Sequence, residues 1–312
     1  MNEIILSPKV LTVIFIDIFL FLWQFYAFIN ALVFIKKYKK DFSQTQYKLE
    51  KKSYFISTVI SLSIYIKFFS LIFFIYVLDD LSLLLKGAMC AAGVIDSNNY
   101  GEIVLALKIL NIFLAFLWID LHKKDELTKN YKYIKIKMVL FSFLFLLFLA
   151  EVYTEVMFFL HIEIFSPLQC CVILFKGEEN SFLHFFKSIN ILYIFFINLT
   201  IIFMLLYKKS KKVFFFSILH VYISYYAITY FFSSYIYMLP SHKCPFCLLQ
   251  WDYKYIGYII YLFLFLATLN IFRFVLFDLV ERVKFIYIYY ICFTIFLSFS
   301  FFKYIFLFNH FL

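Results

Sequence analysis

Residues 138–160 read MVLFSFLFLLFLAEVYTEVMFFL, a stretch without Gly, Pro or a basic residue, whose only charges are Glu151 and Glu155. A helix rises about 1.5 Å per residue and pairs every backbone group internally, so about 20 apolar residues cross the roughly 30 Å hydrocarbon layer of a bilayer. This stretch meets that length and is too apolar to face water. Working outward, seven more pass the same test: Val10–Ile35, Tyr54–Leu78, Glu102–Ile119, Phe182–Tyr207, Val213–Met238, Tyr255–Phe277 and Phe285–Phe308. The first is too long for a secretory apolar region and its basic cluster follows it, so it is expected to remain as an uncleaved span.

The whole chain has the same character. Of 312 residues 65% are apolar and 15% charged, with 48 Phe and 26 Tyr but only 5 Gly and 4 Pro. That composition excludes disorder, a collagen-like chain, a disulfide-scaffold secreted module and a soluble modular protein. The expected fold class is all-α: a polytopic helical bundle of about eight transmembrane helices, residues 1–312 forming a single transmembrane domain.

The net charge of +10 is arranged by loop. Stretches Lys36–Lys52, Lys123–Lys137, Lys208–Lys212 and Asp278–Lys284 hold 19 of the 29 Lys and Arg, whereas the alternate loops hold only Lys9, Lys86, Lys176, Lys243 and Lys254. Basic loops stay cytoplasmic, so this positive-inside pattern predicts a multi-pass protein of the cell membrane (the inner membrane of a Gram-negative bacterium) with both termini outside. The charge is accounted for by orientation and anionic-lipid contact; no basic-aromatic face calls for nucleic acid.

Gly, Pro and Cys gather on the other side. All nine Gly and Pro fall toward that side, Gly257 just inside the seventh span, and Cys90, Cys170, Cys171, Cys244 and Cys247 lie in outer loops 79–101, 161–181 and 239–254, leaving Cys292 inside a span. Shaped loops bearing sulfur in a periplasm-like compartment point to disulfide chemistry. The absence of Gly or Pro breaks at mid-span argues against a secondary transporter.

The sharpest motif is Ser241-His-Lys-Cys244-Pro-Phe-Cys247. Pro245 suits the first turn of a helix, which would place Cys244 near an N-cap and Cys247 one turn later, with free N–H groups and Lys243 favouring the Cys244 thiolate. Either a redox-active pair or a static staple meets that spacing. Cys170–Cys171 is a vicinal pair, strained if bonded to itself, and more readily bonded elsewhere. Cys244, Cys247 and His242, with His161 or His184 nearby, are also soft donors for copper or zinc, though the spacing matches no standard finger or ferredoxin run. His161 and His184 could hold a b-type heme. Trp251, Tyr253, Tyr255 and Tyr258 form an interfacial aromatic cluster on which a quinone ring could stack.

An external Cys-x-x-Cys at a membrane surface, with further external cysteines, resembles the membrane thiol oxidases of the DsbB and vitamin K epoxide reductase type. The likeness covers Cys244–Cys247 and, loosely, Cys90, Cys170 and Cys171; those families have a four- or five-helix core, fewer than the eight spans read here. It implies a redox-active centre passing electrons from an exported thiol protein to a membrane quinone, with Cys244 attacking, Cys247 resolving, and Cys170, Cys171 and Cys90 as relay or secondary pair. The rivals are a non-enzymatic subunit or transport component whose disulfides brace its loops, and a Cys/His protein that handles copper, zinc or heme.

Charges within spans cost about 2.5–3.5 kcal/mol each on insertion scales, so each needs a partner or a task. Asp17, Lys67, Lys108, Glu151, Glu155, Lys187, His220 and Arg273 are so placed. Glu151 and Glu155 share one helix face, and Lys67 matches Glu151 in depth, which predicts an ion pair between them. These three are the candidates for proton transfer. Asp17, Lys108, Glu155 and Lys187 fall in the outer halves of their spans, where they could form a polar pocket beneath the cysteine loops, while helix-to-helix pairing and outward snorkelling are the plainer expectation for Lys108, Lys187 and Lys303.

Overall fold

A computed structural model describes residues 3–38, 44–128, 133–163, 189–240 and 242–308. Cys170, Cys171, His184 and Lys187, with most of the expected loop 161–181, lie outside the described residues. The described α-helices are α1 (Pro8–Lys37), α2 (Gln44–Ser82), α3 (Ala91–Ile95), α4 (Gly101–Leu127), α5 (Ile134–Leu160), α6 (Ile189–Tyr207), α7 (Val213–Ala227), α8 (Ser233–Tyr237), α9 (Ile256–Phe277) and α10 (Val283–Phe308). A π-helical turn, Ile228–Phe232, joins α7 to α8, so Val213–Tyr237 is one interrupted span. No strand occurs among the described residues.

Among the described residues eight helices are long and apolar enough to cross a membrane, matching the eight stretches read from hydropathy. By length and composition these are the helices of a multi-pass membrane protein. Large apolar side chains such as Phe15 (72% exposed) and Phe302 (66%) point outward, where lipid can cover them.

The chain forms two compact units, Met1–Lys86 with Val94–Ser166, and Gly87–Gly93 with Pro167–Leu312. The first contains spanning helices α1, α2, α4 and α5. On α1 the buried residues are Val10, Val13, Asp17, Leu20, Gln24, Ala27, Ala31 and Phe34. Their alternating three- and four-residue spacing is a heptad seam, the pattern of helices packed at a shallow left-handed angle. Ala27 and Ala31 leave room for close helix approach. Asp17 and Gln24 occupy the same seam, so its middle is polar and its ends apolar. At the α4–α5 turn, Lys137 pairs with Asp125 at 3.0 Å, Asp125 accepts the Tyr133 N–H at 2.8 Å, and the Trp118 indole donates to the Lys137 carbonyl at 2.7 Å.

In the second unit α6, the α7–α8 span, α9 and α10 share one core that includes Ile191, Phe195, Ala227, Ile260, Tyr290 and Phe293. A π turn widens the helix by one residue, shifting the face that later residues present. Beyond it, Tyr237 turns inward and is buried.

Candidate functional site

Cys90 comes from the Gly87–Gly93 segment of the second unit, and Cys244 and Cys247 from the loop after α8. Cys90 Sγ lies 3.5 Å from Cys244 Sγ, and the three sulfurs of Cys90, Cys244 and Cys247 all fall within 4.8 Å of one another. Each residue is at most 1% exposed. Among the described residues Cys90, Cys244, Cys247 and Cys292 are free thiols, so no described pair stands at disulfide distance. Cys292 is partly buried.

The backbone around the Cys-x-x-Cys departs from the expected helix. No helix starts at Pro245; Cys244 to Phe246 are irregular and a short 3-10 turn covers Cys247–Leu249. The reason is where the carbonyls find donors. Tyr237 donates its hydroxyl to the Cys244 carbonyl, and Tyr261 donates to the Pro245 carbonyl at 2.6 Å. The Phe246 carbonyl takes the Leu249 N–H at 2.9 Å, a tight i to i+3 closure. With its carbonyls bonded to two tyrosines, the loop has no run of helical bonds and no helix N-terminus to stabilise a Cys244 thiolate. The Lys243 ammonium lies over the Tyr230 ring at 5.7 Å.

Across the centre, the Gln250 amide donates to the Met89 carbonyl at 3.0 Å, tying the Cys247 turn to the residue before Cys90. Tyr237, Tyr261 and Gln250 went unnoticed in the sequence. Tyrosine at the outer end of a span is ordinary in a chain with 26 of them, and nothing local marks these two.

Gly257 is the other requirement. A Cβ built there would stand 2.8 Å from Leu248 Cβ and 2.9 Å from the Leu248 carbonyl carbon and oxygen. Helix α9 thus approaches the thiol turn at a distance only Gly allows. Gly257→Ala is expected to cost about 1–3 kcal/mol, as overpacking does, and to loosen the turn. Thermal unfolding in detergent and the alkylation rate of Cys247 check this; unchanged values for both would show that the close approach is unimportant.

Of the histidines proposed as ligands, His184 lies outside the described residues. His242 is not in the three-sulfur group; its ring meets Tyr237 edge-on at 4.4 Å, and its buried Nε2 has no hydrogen-bond partner. His161, at the end of α5 in the first unit, is exposed with Nδ1 2.8 Å from the Met157 carbonyl. Trp251 is 74% exposed, with Tyr255 at 5.6 Å and Tyr258 a further 6.0 Å along, while Tyr253 packs on Tyr237 at 4.5 Å.

The intramembrane charges of the first unit converge. Lys67 Nζ lies 2.6 Å from Glu151 Oε2, the pair expected from depth. Lys108 does not snorkel: it is 2% exposed, and its Nζ lies 2.9 Å from Asp17, 2.8 Å from Glu155 and 3.4 Å from Glu151. The snorkelling expectation fails because three carboxylates inside the bundle offer its ammonium more than the interface does. Lys303 is exposed, as expected. The Asn111 amide donates to Glu151 at 2.9 Å, and the Ser70 hydroxyl reaches Asp17 at 3.4 Å. Both ammonium groups also lie over aromatic faces, Lys67 on Phe148 at 3.8 Å and Lys108 on Phe74 at 4.8 Å.

His220, in the second unit, is fully buried, with Nδ1 3.1 Å from Asn198 Oδ1 and its ring 5.1 Å from that of Tyr290. Comparison of the chain with family models, with curated proteins and with solved structures finds no match.

Proposed function

We propose that this membrane protein carries an internal thiol–disulfide centre, made by Cys90, Cys244 and Cys247, which passes electrons to a membrane quinone. The observation that carries the reading is the convergence of three buried sulfurs within 4.8 Å, drawn from positions as far apart as 90 and 247. Three sulfurs are the smallest set that supports exchange within one molecule, one thiolate attacking a disulfide made by the other two. Closing two thiols into a disulfide releases two electrons and two protons, and a quinone that takes up both becomes quinol.

Burial favours an apolar oxidant. Thiols enclosed by an apolar core are poor partners for direct exchange with a water-soluble protein. An exported thiol protein would therefore feed the centre through another pair, and Cys170–Cys171 is the remaining candidate. The same reading puts the basic loops on the cytoplasmic side and the sulfur loops and both chain ends on the periplasmic side, supported by the 19 Lys and Arg in alternate loops against five in the others. The proton roles of Glu151, Glu155 and Lys67 do not enter the sulfur step.

The separations favour a second reading. A metal bound at about 2.3 Å by three thiolates spaces the sulfurs about 4 Å apart, close to the spacing here. Copper(I) or zinc suits such donors.

One experiment separates the two. Membranes holding the reduced full chain are treated with a short-chain quinone, quinol is quantified, and thiols are trapped under denaturing conditions; metal content is measured on the same preparation. The expected result is one quinol formed per disulfide gained among Cys90, Cys244 and Cys247. Thiols that stay in one state with quinone and with reductant overturn the redox reading, and stoichiometric copper or zinc lost in Cys90→Ser establishes the metal one.

A further inference from the structure

The buried cluster of the first unit brings two ammonium groups, Lys67 and Lys108, against three carboxyl groups, Asp17, Glu151 and Glu155. All five residues are at most 4% exposed. With every group ionised the cluster would hold an uncompensated negative charge in a low-dielectric interior, which costs several kcal/mol by the usual penalty for a buried ion. Something positive has to complete it.

The hydrogen bonds show where. Glu151 is the best-supplied carboxylate, receiving Lys67, Asn111 and, at longer range, Lys108. Asp17 receives Lys108 and Ser70. Among the described residues Glu155 pairs with the Lys108 ammonium, through Oε2, and its buried Oε1 has no hydrogen-bond partner. Asp17 and Glu155 thus meet at the same Lys108 ammonium, at 2.9 and 2.8 Å. Two carboxylates on one ammonium repel unless one is protonated, and a proton placed between them turns that repulsion into a hydrogen bond.

A second feature adjoins the cluster. A small cavity of about 10 Å³, about one water's space, is lined by Gln24, Lys67 and Asn111 among apolar neighbours. It provides polar partners for one water beside the Lys67–Glu151 pair.

We propose that Glu155 and Asp17 form a proton-binding site within the membrane: one exchangeable proton resides on Glu155, is shared with Asp17, and neutralises the Lys67–Lys108–Glu151 group at neutral pH. The groups that face the site are Lys108 and Asn111 from α4, Lys67 and Ser70 from α2, Gln24 from α1, and Glu151 from α5. The proposal goes beyond the sulfur chemistry and stands without it.

Infrared spectra of the full chain in lipid vesicles, in H₂O and in D₂O across about pH 5–9, test it. The expected result is a protonated-carboxyl C=O band that persists at neutral pH, shifts in deuterium, is lost in Glu155→Gln and changes frequency in Asp17→Asn. Should Glu155→Gln fail to fold, the wild-type band and its displaced counterpart in Glu155→Asp carry the test. A wild-type protein without the band at neutral pH overturns the site, as does a band unchanged in both Glu155 variants and in Asp17→Asn.

Discussion

Glu151→Leu is expected to be the most damaging single substitution in the first unit, lowering stability by about 3–5 kcal/mol. Lys67 is 4% exposed and has its short carboxylate contact, 2.6 Å, with Glu151 alone among the described ion pairs. Removing Glu151 leaves that ammonium buried with the Phe148 ring and no adjacent counter-charge. It also takes away the acceptor of the Asn111 amide. The loss should appear as a drop in folded protein recovered from membranes and a lower unfolding temperature in detergent. The double variant Lys67→Met with Glu151→Leu should recover much of it, because two well-packed apolar side chains replace a pair whose Coulomb attraction is largely offset by desolvation. A Glu151→Leu protein as stable as the wild type would show that the pair is dispensable. The same variant connects to the proton site: with Glu151 gone, two carboxylates balance two ammonium groups, so the Glu155 proton should be released and its infrared band lost.

Cys244→Ser should reduce quinol formation by about a hundredfold or more while costing only about 1–3 kcal/mol of stability. The hydroxyl nearly matches the thiol in size, so the main structural penalty is a buried polar group in an apolar shell. Cys244 is the centre's hub: it follows Cys90 at 3.5 Å in space and precedes Cys247 by three residues in sequence. Cys247→Ser should be as severe, and the Cys244→Ser, Cys247→Ser double variant no worse than either single, because the sulfurs act as a unit. Cysteines that merely brace the loops would behave in the opposite way, with stability falling and quinol formation persisting in the protein that folds. Quinol yield and unfolding temperature measured on the same preparations distinguish these outcomes.

Much of the first unit's charge cluster was legible one residue at a time. Lys67 and Glu151 could be matched by depth because a helix's rise per residue converts position in the chain into position across the bilayer. The same logic grouped Lys108 with Asp17 and Glu155, as found, but also turned it outward to snorkel. Depth alone assigns an ammonium in an outer half-span to the interface, whereas its helix face decides whether it turns to lipid or into the bundle. The Cys-Pro-Phe-Cys motif shows the reverse failure. Local propensity put Pro245 at a helix start, and hydroxyls from Tyr237 and Tyr261, distant in sequence or separated by a turn, drew its carbonyls into a different path.

The amino-acid sequence by itself determined that the chain holds about eight stretches long and apolar enough to cross a membrane, with its basic residues in alternate connections and its cysteines concentrated in the others. Those are properties of length, transfer free energy and local order, and they need no knowledge of which helix packs on which. Only the tertiary structure decided that Cys90 joins Cys244 and Cys247, that His242 stands outside that group, and that Asp17 and Glu155 share one ammonium. Such groupings depend on helix rotation and on contacts across 91 or 154 residues, which no local pattern encodes.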